Sequence, residues 1–179
     1  MKADSIPQVT LHIGHRTLSE GSGGTFHHIN PVTGAVQATI PLAGQAEVDM
    51  AVKAAEAARE QWRTTRPEAR REILVKLGKL IEENGEEFAR LAALDGGTPL
   101  AGGMAGVQLA VEWTKYYAGW ADKLEGELLS TFDTRGEFAY TMPEPIGIVG
   151  IIITWNGPLI SLGMKVIPAL AAGNCVVIK

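Results

Sequence analysis

Residues 146–179 restrict the possible folds more than any other stretch. They read IGIVGIIITWNGPLISLGMKVIPALAAGNCVVIK. An apolar run from Ile146 to Ile153 breaks at Thr154-Trp155-Asn156-Gly157-Pro158, a helical segment follows, and Gly173-Asn174 stops it. A second apolar run, Cys175 to Ile178, comes next. Strand, turn, helix, turn, strand predicts one βαβ unit of a parallel sheet, because parallel neighbours need a long crossover. Ligands of open α/β sheets bind outside the carboxyl ends of the strands. The polar residues where the first strand ends are therefore the first place to look for function.

The stretches before this unit change period twice. Over residues 6–40, Val9, Leu11 and Ile13 alternate with polar neighbours, Phe26–Ile29 reads as the returning strand, and Val36–Ile40 alternates again. Gly21-Ser22-Gly23-Gly24 and Asn30-Pro31-Val32-Thr33-Gly34 read as turns. From Gln45 the apolar residues recur every three to four positions. This predicts a helix through Trp62 and a second from Pro67 with a stripe of Ile73, Leu74, Leu77, Leu80 and Ile81. Asn84-Gly85 punctuates its end, and a third helix is expected from Glu86 to about Leu94. Residues 95–99 read as a loop and Val107–Leu124 as a fourth helix, with its tryptophans and tyrosines in packing roles. After Gly126 the period becomes two. Runs 129–132 and 137–142, separated by Asp133-Thr134-Arg135-Gly136, predict a β-hairpin. A lone hairpin is marginal in water, so it needs its own domain or another subunit to pack against.

Composition excludes several classes. The chain of 179 residues is 46% hydrophobic and 20% charged, as expected of a globular domain with a sizeable core. A net charge of −4 gives no electrostatic reason to expect nucleic acid or anionic membrane as a partner. The single cysteine rules out an internal disulfide framework and fits a reducing compartment. No apolar run approaches the ~18 residues that span a bilayer, and the N-terminus carries no signal-like apolar core. The expected location is cytoplasmic. Parallel sheets are normally multi-stranded and buried on both faces. A parallel pair ending at Lys179 therefore leads us to expect the N-terminal portion of a longer protein.

Four side chains or groups of side chains invite chemistry, each with a plainer alternative. Cys175 lies inside an apolar strand, where a thiol behaves as a small hydrophobe and not as a nucleophile. The four histidines, His12, His15, His27 and His28, lack accompanying carboxylates or thiols at ligand spacing, so we expect surface and strand roles. Asn156 ends a buried strand just before a Pro-initiated helix. Its amide can donate to a developing oxyanion, or it can cap the helix. Lys179, at the same sheet edge, can reach a ribose hydroxyl or phosphate, or be an ordinary strand-end lysine.

The stretch from Pro145 to Leu159, then Lys165, then Pro168 to Lys179 resembles the NAD(P)-dependent aldehyde dehydrogenase superfamily. That family's pattern is P-x-G-V-x-G-x-I-x-P-W-N-x-P, a lysine nine residues after the Asn, and P-A-L-A-x-G-N-x-V-V-x-K-P. Asn30-Pro31-x-Thr33-Gly34, the Trp62 helix and Leu94-Asp95-x-Gly97-Thr98-Pro99 fit as well. The resemblance implies an α/β fold, here the N-terminal part of a Rossmann-like parallel-sheet dinucleotide-binding domain. Residues 1–126 and 146–179 would belong to that domain, and 127–145 would be an oligomerisation hairpin joining a homodimer or homotetramer. It implies NAD or NADP as cofactor and a small-molecule aldehyde as substrate, oxidised to the carboxylic acid through a cysteine thiohemiacetal. Asn156 would hold the oxyanion. Ile152, Ile153, Thr154 and Trp155 would line the cofactor cleft with Asn156, and Lys179 would bond the adenosine ribose. Lys165 matches a lysine assigned to a charge relay, its alternative being a structural ion pair. Ile29 and Asp95 match positions that hold a monovalent cation in some members.

Departures from the pattern carry expectations of their own. Thr154 replaces the usual Pro, and Gly157 replaces a bulky residue, which predicts tolerance of larger or branched aldehydes. The family's catalytic cysteine and general-base glutamate are expected downstream of Lys179, so the chain by itself should be inactive. Two other readings stay open. One is an acyl-phosphate or acyl-thioester reductase of the same fold, and the other is a non-catalytic subunit that only associates.

Overall fold

The structure, a computed structural model, describes residues 5–131 and 136–179. Two short antiparallel hairpins come first. β1 (Leu11–Ile13) pairs with β2 (Arg16–Leu18), and β3 (Thr25–Ile29) pairs with β4 (Val36–Pro41). The first of these corrects the expected pairing: β3 returns against β4, not against β1. The missed signal is Gly14-His15. Gly14 has φ +57° while His15 keeps a negative φ, the arrangement of a two-residue II′ turn. In the second hairpin Asn30 organises the predicted turn: its Oδ1 accepts from the N–H groups of Val32 and Thr33.

Four helices follow: α1 (Gln45–Thr64), α2 (Pro67–Glu83), α3 (Gly85–Gly96) and α4 (Leu100–Ala118). Pro67 stands in the first turn of α2, where its missing N–H costs nothing. Asn84 ends α2 and starts α3. α3 runs two residues beyond the expected Leu94, and Gly97, with φ +69°, supplies the left-handed cap. α4 starts at Leu100, not Val107, because Gly102, Gly103 and Gly106 are tolerated in it. Gly103 lets α4 approach α3 closely, as a Cβ there would sit 2.9 Å from Ala89 Cα. The expected stripe of α2 is half right: Leu74 and Ile81 are buried, while Ile73 and Leu80 are 51% and 45% exposed. α2 packs against α4 and the later helical segment Ile167–Ala171 along one narrow seam, so only the positions facing that seam are buried.

The core lies around α4. Leu74, Ala118, Ala121, Ile167 and Ala171 form one cluster, and Ile81, Val107 and Val111 form another. Trp113 and Tyr117 stack with centroids 5.6 Å apart and Tyr116 meets Tyr117 edge-on, so these aromatics do have packing roles. β5 (Leu128–Leu129) pairs with β6 (Ala139–Tyr140), which gives the expected hairpin a shorter ladder. Phe132, Asp133, Thr134 and Arg135 of that expectation lie outside the described residues.

β7 (Ile148–Ile151) and β8 (Cys175–Ile178) then form the predicted parallel pair, in register from Ile148↔Cys175 to Ile151↔Ile178. The crossover is not one regular helix. It comprises α5 (Pro158–Ser161), a π-helical turn (Leu162–Val166) and α6 (Ile167–Ala171). Pro168 accounts for the π turn. It has no N–H for the carbonyl of Met164, and its ring would collide with that carbonyl in a regular helix. One face of the pair packs against α1. Among the described residues, no helix is long and apolar enough to cross a membrane.

The start of α1 is held by one half of a capping box, since the N-cap, Gly44, has no side chain to return the bond. Glu47 Oε2 accepts from the Gly44 N–H at 2.7 Å and from the Ser22 hydroxyl at 2.5 Å. The Ser22 bond, then the Gly44 N–H, hold the Glu47 carboxyl below the ordinary value of 4.5. A carboxylate with a depressed folded-state pKa stabilises the fold above the unfolded value, and that contribution is lost as pH falls through the folded one. We therefore expect Glu47→Gln to lower Tm by a constant amount above about pH 5. The difference should shrink on acidification. A difference that grows on acidification would contradict the assignment.

Candidate functional site

The end of β7 and the turn after it bring the candidate residues together. The ladder continues one step past the strands: Lys179 N donates to Ile151 O and Ile153 N donates to Lys179 O, each at 2.8 Å. Ile152, Ile153, Thr154, Trp155, Asn156 and Lys179 thus share one sheet edge, at the carboxyl ends of both strands. Trp155 and Ile152 are 85% and 71% exposed, and Lys179 is exposed as well. Open space lies beside Gly150, where an added Cβ would meet nothing within 4 Å.

The helix-cap alternative for Asn156 is not what the structure has. Gly157 is the N-cap of α5, without any side-chain capping bond, and its carbonyl accepts from Ser161 N at 2.9 Å. No described residue hydrogen-bonds the Asn156 amide. With Trp155, Gly157 and Ile160, Asn156 lines a cleft of about 410 Å³ walled by α3 and α4. The far wall includes Phe88, Leu91 and Val107, so the cleft is mainly apolar with an amide at its edge.

Other candidates are placed differently. Lys165 makes no ion pair among the described residues; its Nζ donates to Ile152 O at 3.0 Å. Ser161, which the sequence reading passed over, accepts from Thr154 N at 3.4 Å. The signal for it was Thr154 itself, a residue with an N–H where the family pattern has none. Cys175 is 8% exposed, and burial raises its pKa, so the only thiol is protonated and enclosed. Ile29 ends β3, whereas its neighbour His28 places Nε2 3.0 Å from Asp95 Oδ1. Gln37 Nε2 reaches both His28 Nδ1 and Leu94 O, at 2.9 and 2.7 Å, and fixes that imidazole. No group of three or more His, Cys, Asp or Glu side chains suited to a metal occurs among the described residues.

Asn174 also escaped notice as a fold-defining residue. It is buried, accepts from Gly147 N at 2.9 Å and donates to Ala169 O at 3.1 Å. It thereby fastens the start of β7 to the end of α6 and fixes the register of the parallel pair. Gly147 has φ +124°, a conformation that suits glycine at this joint.

Comparison with known proteins identifies the family. The model of the aldehyde dehydrogenase family matches residues 18–179. Aldehyde dehydrogenase 1 of Tanacetum cinerariifolium is 46% identical over 99% of this chain and 36% of its own length. Among solved structures, PnpE in complex with nicotinamide adenine dinucleotide superposes with a TM-score of 0.91 at 36% identity, over 97% of this chain and 35% of that one. An E. coli NADP-dependent enzyme superposes with a TM-score of 0.89 at 28% identity, over 96% of this chain and 35% of that one. The chain belongs to the aldehyde dehydrogenase family. It spans about a third of the length of these relatives and matches their N-terminal part.

Proposed function

We propose that these residues form the first part of an enzyme that oxidises an aldehyde to a carboxylic acid with NAD or NADP. The observation that carries the reading is the Asn156 amide, without a partner among the described residues, at the carboxyl end of β7 and lining the apolar cleft. An amide fixed there donates to the aldehyde oxygen and strengthens that bond as the oxygen gains negative charge, with no reorganisation of solvent. Residues 1–126 and 146–179 belong, in this reading, to a Rossmann-like dinucleotide-binding domain.

The residues present fit a dinucleotide. Trp155 and Ile152 offer exposed apolar surface, Lys179 would supply a cation for the ribose hydroxyls, and Ile153 and Thr154 follow β7 at the same sheet edge. When bound, the nicotinamide supplies the hydride acceptor. Neither cofactor is favoured by Lys179, since it bonds the ribose in both. The hairpin of 127–145 displays Leu128, Phe138, Tyr140 and Met142 to solvent, with Phe138 stacked on Tyr140. We assign it to a contact between subunits of a homodimer or homotetramer. A monomeric mass in solution for the protein that carries it would remove that assignment.

The test is a chimera joining residues 1–179 to the remainder of the Tanacetum relative. We expect aldehyde-dependent NADH or NADPH formation, and a folded chimera that binds neither dinucleotide would overturn the proposal. The 179-residue chain alone should form none, because its only thiol is buried.

Gly157 makes substrate breadth testable in the same chimera. Its φ of −159° is open to any residue, and an added Cβ meets only Ile160 Cδ1, at 3.9 Å. Gly157→Phe should therefore fold normally and fill part of the cleft. We expect kcat/KM for branched aldehydes to fall by roughly tenfold or more relative to acetaldehyde, as steric exclusion from a pocket allows. An unchanged substrate profile would sink this idea.

A further inference from the structure

We infer that Ser161 and Lys165 are positioning residues that jointly fix the 152–156 turn, and with it the direction of the Asn156 amide. The inference rests on the reading of that turn as the cofactor- and oxyanion-binding segment. Its evidence, however, is the main chain. Past β7 the ladder lasts only to Ile153, whose N–H is taken by Lys179 O. The flanking groups, the Ile152 carbonyl and the Thr154 N–H, stand on exposed residues and have no main-chain partners among the described residues. Two side chains supply partners instead. Lys165 Nζ donates to Ile152 O at 3.0 Å, and Ser161 Oγ accepts from Thr154 N at 3.4 Å.

These side chains stand four residues apart on the crossover, so they rise from the same side of it. Ser161 immediately precedes the π turn at Leu162–Val166, and Lys165 lies within it. Three consecutive residues, 152, 153 and 154, are thereby held from two directions, and Trp155 and Asn156 follow immediately. Ser161 is buried, so water is a poor substitute for its oxygen. Thr154 and Ser161 form a matched pair: a Pro at 154 would have no N–H to give, and an apolar residue at 161 would leave the Thr154 N–H without its acceptor. Lys165, exposed and donating to a main-chain carbonyl, acts in this scheme through the turn and relays no proton.

Amide hydrogen exchange on this chain tests the assignment directly. Ser161→Ala should speed exchange at Thr154 roughly five- to tenfold, the loss of one modest hydrogen bond. Ser161→Thr should restore it, and the Ile151 and Lys179 amides should not change. In the Thr154→Pro background, Ser161→Ala should leave Tm where it was, so the two substitutions are non-additive. In the chimera, Lys165→Met should lower kcat without moving the pH profile and Lys165→Arg should recover it; a displaced pH profile would instead mark a proton relay and overturn the positioning role of Lys165. Unchanged Thr154 exchange in Ser161→Ala, together with an additive cycle, would overturn the pair. A chimera that binds no dinucleotide would remove the functional reading, while the exchange data would still decide the positioning.

Discussion

Asn156→Ala in the chimera should lower kcat by roughly 10²–10³-fold, the loss seen when one preorganised oxyanion donor is removed. It should leave Tm nearly unchanged. The two halves of the expectation come from different observations. The side chain has no partner among the described residues and does not cap α5, so its removal breaks nothing in the ground state. Loss of a true N-cap would instead cost about 1 kcal/mol of stability, which thermal denaturation would detect. Asn156→Asp separates electrostatics from shape, because it keeps the volume and puts an acceptor charge where the oxyanion forms. We expect it to be at least as damaging as Ala. If kcat survives Asn156→Ala, the oxyanion role is wrong. If Tm falls with it, the residue is structural after all.

The placement of the candidate residues was more legible in the sequence than the fold around them, for a physical reason. A strand that ends in Thr-Trp-Asn-Gly-Pro must expose its last polar groups, and a parallel neighbour must bring Lys179 to the same edge. Those consequences follow from chain order alone. The β3–β4 turn was equally readable, since Asn30 and Gly34 supply the bonds and φ that it needs. What could not be read depends on neighbours distant in sequence. Ile73 and Leu80 fit a helical stripe as well as Leu74 does, yet only contact with α4 and α6 decides which are buried. α4 begins among glycines because close approach to Ala89 rewards their small size, which propensity alone counts against them. Ser161 and Asn174 looked like ordinary polar residues. Their roles appear only when Thr154 and Gly147 are placed opposite them.

Arg70→Ala should destabilise the chain by about 3 kcal/mol, the range for stranding buried polar groups while opening a cavity. Arg70 is 8% exposed, and none of the hydrogen bonds the structure gives it goes to a carboxylate; its partners are main-chain carbonyls. Nε donates to Ala171 O at 3.3 Å, and Nη1 to Thr65 O at 2.5 Å and Arg63 O at 3.5 Å. Burial lowers its pKa, but a guanidinium remains charged in any case. One planar group thus joins the α1–α2 corner to the last turn of α6, where the charge meets carbonyls at helix C-termini and is stabilised by them. It also packs beside Gly173, the hinge into β8: a Cβ there would lie 3.7 Å from Arg70 Cζ. Arg70→Lys tests whether the fork or the charge matters. A single ammonium cannot reach carbonyls on both sides, so Lys should recover less than half of the loss. Equal stability of the Lys variant and the parent in urea denaturation would mean that charge at the helix ends suffices. Equal stability of Arg70→Met would mean that neither matters and that the site needs only volume.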